Sequence, residues 1–464
     1  MVWVTRNFRK AVKPLVIILV IAFVGGTLFT GGAYLFGRND QTVAAIGTVN
    51  GQPISGMEFQ QLYYNQLQSA QMEYGRLNNQ IIESVKYGTF EHLVSEALQK
   101  QEIEKRKITV AKKEIDEELS KLKEIYSEDI LEQLGYTDAA LRIIIEEQLK
   151  KDKLRAEIAG PVDITEQQIK DFYEQVEASH ILIRVESDNE EAWAKARERG
   201  EFVLAQLAEM DFAEAAKQYS DDSNAANGGQ LGYFGRGVMV PQFENTAFNL
   251  EVGEISDLVR TEYGYHIIKV TDKYVAEGEE FEEIKEHIRD YLASQEQDKL
   301  FQPWLEEQRA NADLVIHDHQ ITAFGHRLNG DLEKAIEFYN KAIESGSEDG
   351  YIYASLGDVY AELGDYEQAA ANFELAVNKI TTDGDLYFRL GLAYEELDRI
   401  DAAVDAYLKT SELMAYDLSA QFLVLSFLND LGDEEAIKIV ENRLEELYSM
   451  YEQLESADTE VEQE

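Results

Sequence analysis

A period of 34 residues in the last third of the chain constrains its fold more than any other feature. Gly330-Asp331 recurs as Gly364-Asp365 and as Gly432-Asp433, and Asp398 occupies the step between them. Small residues share one phase of this period and aromatic residues share another: Ala335, Ala369 and Ala403, and Tyr339, Phe373 and Tyr407. A plain helical bundle does not explain an unchanged step, whereas a stack of similar helix pairs requires one.

The pattern resembles tetratricopeptide repeats, in which small residues let two helices approach and an aromatic side chain fills the next gap. Leu356-Gly357-x-x-Tyr360 also matches Leu390-Gly391-x-x-Tyr394 in the same phase. The resemblance implies a C-terminal α-solenoid at 317–451 with a degenerate last repeat, followed by an acidic tail at 452–464. It further implies a concave face for a protein or peptide ligand, which the sequence does not identify.

An uncharged run of 22 residues at 15–36 predicts a transmembrane helix, because such a helix is about 33 Å long and a bilayer core about 30 Å thick. Four basic residues precede the run, so the positive-inside rule places a tail at 1–14 in the cytoplasm and the rest outside. A cleaved signal peptide is the alternative, since Ala44-Ala45 supplies small residues, but its apolar core is usually ~7–15 residues. The sequence therefore predicts a single-pass protein of the cell membrane with an extracytoplasmic body.

The net charge of −46 and the absence of cysteine exclude several functions. The residues before Asp40 include five basic side chains and no acidic one, so the acidity belongs to the rest of the chain. That surface would repel a phosphate backbone, and nucleic acid is not an expected partner. Salt would screen its self-repulsion, which fits a salt-adapted protein or an ordinary acidic one. Without cysteine, disulfides, thiolate metal sites, thiol nucleophiles and a lipid-bearing N-terminal cysteine are all excluded.

Two regions of different hydrophobic period lie between the apolar run and the repeats. The first, 40–176, begins with a short Asn-Gly hairpin and continues as helices predicted at 57–75, 81–105, 109–125, 141–158 and 164–173. From Ala178 the pattern changes to β-type runs at 180–185 and 265–270, separated by helical stretches and a turn-rich segment at 228–235. The sequence thus predicts a compact α+β unit at 177–274. A long helix at 281–311 and an extended piece at 313–317 follow.

Two of the seven histidines, His180 and His266, lie in or beside the β-type runs. A single core histidine is usually a hydrogen-bonded packing residue, but two at matching depths of one sheet can share a hydrogen bond that fixes both tautomers. No cysteine or further strand histidine could complete a zinc site with them. Another stretch, His317-Asp318-His319 with His326, suggests a metal site, but solvated linker histidines explain it more simply.

A series of motifs runs through the α+β unit in one order. It comprises Ala178-Ser179-His180-Ile181-Leu182, Tyr219-Ser220-Asp221-Asp222-Ser223, Gly228-Gly229-x-Leu231-Gly232-x-Phe234, Gly235-x-Gly237-x-Met239-x-x-x-Phe243-Glu244, Gly253-Glu254-Ile255-Ser256 and Thr261-x-Tyr263-Gly264-Tyr265-His266. Taken singly, the apolar members would be packing residues and the Ser-Asp-Asp-Ser cluster a helix C-terminal turn. Together they resemble the parvulin family of peptidyl-prolyl cis-trans isomerases (rotamases) along the whole unit.

The resemblance implies three catalytic residues: His180, Asp222 and His266. It implies a proline-ring pocket lined by Leu231, Met239 and Phe243. Thr261 would support the histidine pair, and the role of Tyr263, which stands where some members have serine, is left open. Some members have cysteine where Asp222 stands, so a cysteine-dependent mechanism does not apply. No metal or cofactor is expected, because rotation about X–Pro breaks no bond and its barrier of roughly 18–20 kcal/mol comes from amide resonance.

One departure from the family bears on substrate choice. Members that require a phosphorylated residue before proline carry a basic cluster after the first histidine, whereas here Arg184 is followed by acidic residues: Glu186, Asp188, Glu190 and Glu191. Substrates that depend on phosphorylation are therefore not expected. The helical region 40–176 and the helix returning at 279–316 are similar to the chaperone module of membrane-anchored and periplasmic parvulin foldases. The isomerase unit would be inserted in that module.

The sequence therefore predicts a mostly helical, α+β multidomain protein that isomerises X–Pro bonds and assists folding outside the cytoplasmic membrane. Its expected partners are unfolded or partly folded exported polypeptides. The alternative is a catalytically weak holdase or scaffold that collects partners through the helical module and the repeats. The rate of cis–trans exchange in an X–Pro peptide separates the two. A hydrolase is not supported, because the motifs contain no nucleophile–base–oxyanion arrangement.

Overall fold

The computed structural model describes residues 44–347 and 349–461, so the predicted transmembrane helix at 15–36 lies outside the described residues. No helix among the described residues combines the length and the apolar character that crossing a membrane requires. These residues form two compact units, one at Ile103–Glu306 and one at 44–102 with 307–461. The helical region expected as one module at 40–176 is thus divided between the two units.

The first elements of the described chain are a hairpin and a series of helices. They are β1 (Gly47–Val49), β2 (Gln52–Ile54), α1 (Gly56–Tyr74), α2 (Asn79–Arg106), α3 (Lys112–Ile125), α4 (Glu128–Gln133), α5 (Asp138–Ala159) and α6 (Glu166–Tyr173). Hydroxyls of Ser55, Thr137 and Thr165 cap α1, α5 and α6 by accepting backbone N–H groups that would otherwise be unpaired. Helix α4 was not predicted, because six residues are too few to show a helical period.

The α+β unit follows as a four-stranded antiparallel sheet with helices on both faces. Its elements are β3 (Gln175–Arg184), α7 (Glu190–Gln206), α8 (Phe212–Tyr219), a 3-10 helix (Ser223–Asn227), β4 (Gln230–Gly235), α9 (Pro241–Asn249), β5 (Val259–Thr261) and β6 (Gly264–Tyr274). The strand order is β4-β3-β6-β5. Most of the segment predicted as turn-rich is strand β4. Its glycines have low strand propensity, but pairing with β3 supplies backbone hydrogen bonds that keep the segment extended.

The two faces of this sheet have separate apolar cores, as the alternation of side chains along a strand requires. Ile181, Ile183 and Ile267 pack with residues of α7 and α8 on one face. On the other face, Ile268 and Val270 pack with residues of α9. The site described below lies on the α9 face.

Helix α10 (Glu279–Asn311) and strand β7 (Leu314–Ile316) lead out of the α+β unit. Within the first unit, α10 contacts α6 and α5. The Phe281 ring centroid is 5.0 Å from that of Tyr173, and Phe301 packs with Leu154. Arg155 Nε lies 2.7 Å from Asp298 Oδ1. The chain thus returns from the sheet onto the helices that precede it.

The second unit contains a small sheet and the repeats. Strand β1 pairs with both β2 and β7, with Gly47 opposite Ile316. The repeats are four helix pairs: α11 (His319–Leu328), α12 (Leu332–Glu344), α13 (Gly350–Glu362), α14 (Tyr366–Lys379), α15 (Gly384–Glu396), α16 (Ile400–Leu413), α17 (Leu418–Leu431) and α18 (Glu434–Val461). A Cβ at Gly391 would lie 2.5 Å from the Tyr407 ring, so the predicted pairing of small and aromatic residues is confirmed.

Helix α18 differs from the expected tail at 452–464, because it continues to Val461. Residues 452–461 contain no glycine or proline and include Glu, Leu, Gln and Ala, which favour helix. Acidity alone therefore does not end the helix here.

Candidate functional site

The register of β3 against β6 brings the two predicted histidines together. His180 lies opposite Ile268, and His266 lies opposite Leu182, so the two histidines are diagonal neighbours on one face of the sheet. Their Nδ1 atoms are 3.2 Å apart, and both side chains are buried. The imidazoles therefore share a hydrogen bond whose direction depends on their tautomers.

Thr261, at the end of β5, contacts the ring nitrogen of His266 that does not face His180. Its Oγ1 is 2.8 Å from His266 Nε2, and it also accepts the backbone N–H of Tyr263 at 3.2 Å. The Tyr263 side chain itself is 54% exposed. In the free protein, Tyr263 thus orients the Thr261 hydroxyl through its backbone rather than through its ring.

Asp222 lies on the outer side of His180. Its Oδ1 is 3.3 Å from His180 Nε2 and also accepts the backbone N–H of Asn224 at 2.9 Å, which caps the 3-10 helix. The carboxylate is partly exposed to solvent. Asp222 therefore has a structural contact through its cap and an electrostatic contact with the histidine pair.

Thr261, His266, His180 and Asp222 thus form a row of polar side chains, here called the row. The contacts favour one order of donors and acceptors along it. If the Thr261 hydroxyl donates to His266 Nε2, then His266 Nδ1–H donates to His180 Nδ1, and the remaining proton on His180 Nε2 lies toward Asp222, at 3.3 Å, without a hydrogen bond of normal geometry. The reverse order would direct an unprotonated nitrogen at the Asp222 carboxylate. We therefore assign the neutral Nδ1–H tautomer to His266 and the neutral Nε2–H tautomer to His180.

The charges at the site agree with two neutral imidazoles. Burial lowers the pKa of His180, although Asp222 opposes the shift. Burial, together with the neighbouring His180, lowers the pKa of His266 to about 4. For Asp222, burial opposes ionisation, but the Asn224 N–H and His180 outweigh it and lower the pKa of the carboxyl. At neutral pH the row therefore carries one negative charge, at Asp222.

The three predicted pocket residues lie beside this row in one apolar cluster. Phe243, on α9, is buried, and its ring stands edge-on to His180 and His266 at centroid distances of 5.6 and 5.3 Å. Leu231, on β4, and Met239, before α9, are half-buried against the same cluster. An apolar surface is thus placed directly against the imidazoles.

The loop that carries Asp222 is held to β3 by two residues to which the sequence analysis assigned no role. Ser220 Oγ accepts the Leu182 N–H at 3.0 Å, and the Asp221 N–H donates to the Leu182 carbonyl at 2.8 Å. The Asp221 carboxylate also pairs with Arg199 at 2.7 Å. Both residues belong to the Ser-Asp-Asp-Ser cluster, so the signal was present, but their role depends on where the loop lies.

Gly229 also positions the site. Its φ is +76°, and a Cβ there would lie 2.1 Å from the carbonyl oxygen of His180. The Gly229 carbonyl also accepts the His180 N–H at 2.9 Å. Only glycine permits this close approach, which fixes the backbone under the first histidine.

The other histidine-rich stretch has ordinary polar contacts. His317 Nδ1 lies 2.9 Å from the Ala45 carbonyl, and His326 Nδ1 lies 3.5 Å from Asp331 Oδ2. Across the described residues, no three His, Asp or Glu side chains are grouped so as to hold a metal ion.

Three known protein families match successive parts of the chain. Residues 164–274 match the PPIC-type peptidyl-prolyl isomerase domain, and residues 6–140 match the SurA-like N-terminal domain. Tetratricopeptide repeats match at 326–345, 351–378 and 384–413. The predicted isomerase and repeat families are therefore confirmed.

Curated relatives include proteins named foldase protein PrsA. One from Caldanaerobacter subterraneus is 34% identical over 305 residues, which cover 62% of this chain and 91% of that protein. One from a Geobacillus species is 42% identical over 191 residues, 39% of this chain and 63% of that protein. Among solved structures, the peptidylprolyl isomerase PrsA of Bacillus cereus has 28% identity and a TM-score of 0.27, and covers 61% of this chain and 96% of that one. The overlay is weak, so the assignment depends on the sequences: the chain belongs to the PrsA foldases and carries a PPIC-type, parvulin-family isomerase domain.

Proposed function

We propose that this protein accelerates cis–trans isomerisation of X–Pro bonds at the site between His180 and His266, and so assists the folding of exported polypeptides. The observation that carries the proposal is one continuous arrangement: an apolar cluster against two hydrogen-bonded, neutral imidazoles with a carboxylate at one end. The PrsA foldases to which the chain is similar support the same activity.

The chemistry needs no bond to break. Leu231, Met239 and Phe243 would grip the proline ring and exclude water from the amide. As the amide twists, its nitrogen becomes pyramidal and its carbonyl loses conjugation, and the polar row would favour this state over the planar one. Asp222 supplies the negative end of the row, while His180, His266 and Thr261 keep that row in one orientation. Uncatalysed rotation takes ~10–100 s, which is slow enough to delay folding.

We propose further that residues 15–36 anchor the protein in the cell membrane with its N-terminus in the cytoplasm and its isomerase outside. The uncharged run and the basic residues before it support this orientation. The clients would be unfolded or partly folded exported chains with X–Pro bonds. Their prolines need no preceding phosphate, because Glu186 and Asp188 follow the first histidine strand.

Asp222→Asn tests the site in the full chain. Asparagine keeps an oxygen for the Asn224 cap but removes the charge, so cis–trans exchange in an X–Pro peptide, measured by NMR, should slow roughly ten-fold or more. Asp257→Asn, at an exposed position of the same unit, should leave the rate unchanged. An unchanged rate in Asp222→Asn would remove Asp222 from the site. A wild-type chain that prevents aggregation without accelerating exchange would favour the holdase alternative.

A further inference from the structure

Within the second unit, helix α2 and the residues before it lie on the repeats. We call the surface formed by α11, α13 and α15, the first helices of three successive pairs, the first-helix face. Lys86 Nζ lies 2.7 Å from Asp318 Oδ2, at the start of α11. Arg76 pairs with Asp383, which caps α15, at 3.2 Å. These two ion pairs thus reach the first and the third of the three helix pairs.

Between these ion pairs the contact is buried and polar. Asn79 is completely buried and donates through Nδ2 to Ser355 Oγ at 3.3 Å and to Asp358 Oδ2 at 3.5 Å. Both acceptors are on α13. The Asn79 Oδ1 atom has no hydrogen-bond partner among the described residues, so the two bonds donated by Nδ2 are what hold the start of α2 against α13.

An aromatic contact completes the surface. The Tyr87 ring centroid lies 5.6 Å from that of Phe324 on α11, and a Cβ at Gly325 would lie 3.1 Å from the Tyr87 ring. Asn79, Lys86 and Tyr87 are spaced so that they share one side of a helix. The side of α2 that faces the repeats is therefore a single stripe that fits the first-helix face.

Glu83 lies in the middle of this stripe and is the one part that fits poorly when charged. It is 6% exposed, and neither of its carboxylate oxygens has a hydrogen bond of normal geometry within the described chain, although the hydroxyls of Ser355 and Tyr339 face it. Burial raises the pKa of Glu83 to about 7, with Asp358 adding to the shift and Arg327 opposing it.

The cations near Glu83 form their ion pairs with other carboxylates, although Arg327 Nη1 is buried without a hydrogen-bond partner in the described chain. Arg327 Nε donates to Glu362 at 2.9 Å, and Arg389 Nη1 lies 2.9 Å from Asp358 Oδ1. Burial raises the pKa of Tyr63, on α1, to about 12, and the charges of Asp349, Asp318 and Glu83 add to the shift. A charged Glu83 therefore lies near hydroxyls and a second carboxylate, and among the described residues the nearby Arg327 offsets part of the cost of its charge without hydrogen bonding to it.

We propose that the first-helix face of the repeats takes helix α2 of the same chain as its ligand, and that ionisation of Glu83 loosens this contact. The repeats then bind helix α2 of their own chain before any other partner. A foreign partner of this face would have to displace α2. The proposal is independent of the isomerase activity.

The contact can be tested in the native full chain with a zero-length carbodiimide, which joins a lysine amine to a carboxylate. A Lys86–Asp318 amide should form, with Lys285–Glu166, 2.6 Å apart, as the internal positive control. Mixing ¹⁴N- and ¹⁵N-labelled chains shows whether the product lies within one chain. A control product without the Lys86–Asp318 product would refute the contact, and a product that joins only different chains would make a second copy the source of α2.

The proton dependence is tested by hydrogen exchange of the α2 amides, corrected for the chemical exchange rate at each pH. When α2 is released, the pKa of Glu83 would return to its ordinary value of 4.5. The equilibrium constant for release of α2 should therefore rise roughly 20-fold between pH 5.5 and 7.5. Glu83→Gln should remove this rise, and Glu104→Gln, at an exposed position of α2, should keep it. Equal pH dependence in wild type and Glu83→Gln would refute the role of Glu83. The wild-type protein alone also provides a test, because corrected exchange of the α2 amides that does not change with pH would refute the role of Glu83.

Discussion

Replacement of Thr261 by valine tests the proposed direction of the hydrogen-bonded row. Valine keeps the shape of threonine but removes the hydroxyl that donates to His266 Nε2. That nitrogen is buried, and an unsatisfied buried acceptor costs about 1–3 kcal/mol. Moving the His266 proton to Nε2 would not restore the bond, because an Nε2–H that faces the valine has no acceptor, and it would leave two unprotonated Nδ1 atoms 3.2 Å apart. Either outcome disturbs the pair without changing its packing.

Three measurements follow the consequence. Hydrogen exchange of the β3 and β6 amides should show the isomerase sheet less stable by about 1–3 kcal/mol. ¹⁵N shifts of the imidazoles should show Nδ1–H on His266 and Nε2–H on His180 in the wild type, and a mixture in Thr261→Val. The rate of X–Pro exchange should fall about ten-fold, because the tautomer pair no longer has one orientation.

Thr261→Ser is the matched control, because it keeps the hydroxyl and loses only a methyl group. It should retain the wild-type tautomers and most of the rate, and lose roughly 1 kcal/mol of stability. If Thr261→Val kept both the rate and the wild-type ¹⁵N shifts, the donor order assigned from Thr261 to Asp222 would be wrong.

Three further outcomes are expected. Because the pKa values of His180 and His266 are both lowered, the rate at pH 6.5 should equal that at pH 8 and fall only at lower pH, as protonation breaks the neutral pair; a half-loss at pH 6.5 would contradict the burial argument. Gly229→Ala should destabilise the isomerase sheet by at least ~3 kcal/mol and lower the isomerisation rate. Its control is Gly253→Ala, which has φ +89° but no atom within 4 Å of its Cβ and should cost about 1–2 kcal/mol of stability. Equal losses of stability by hydrogen exchange would refute the role of the close approach at Gly229. A phosphoserine before proline should slow exchange relative to the unphosphorylated peptide at low salt, and a faster rate would reveal a basic subsite that Arg184 alone does not suggest.

Features that repeat or lie close together along the chain could be predicted from the sequence. The phase shared by Gly391 and Tyr407 is a local signature of two packed helices, and the structure places the tyrosine ring where a side chain at the glycine would lie. Apart from α4, the helices of residues 44–176 were predicted from their local hydrophobic period, within a few residues at their ends.

Features that depend on register or on distant pairing could not be predicted. Nothing in the β-type runs states that His180 lies opposite Ile268, and a shift of one residue would turn the two histidines to opposite faces. Asn79 and Glu83 look like ordinary polar positions of an amphipathic helix, because their burial depends on repeats more than 200 residues away. The residues of the polar row were predicted only through the family resemblance. The contact of α2 with the repeats could not be predicted, because no resemblance pointed to it.

The pairing of β1 with β7 has a consequence for how the protein is made. Gly47 pairs with Ile316 across more than 260 residues of intervening chain, so the edge of β1 stays open until slightly more than two thirds of the polypeptide has been synthesised. The strands of the isomerase sheet all lie between these two partners and depend on neither of them. The isomerase sheet can therefore form before the β1–β7 pair, whose strands flank it in the sequence, has closed.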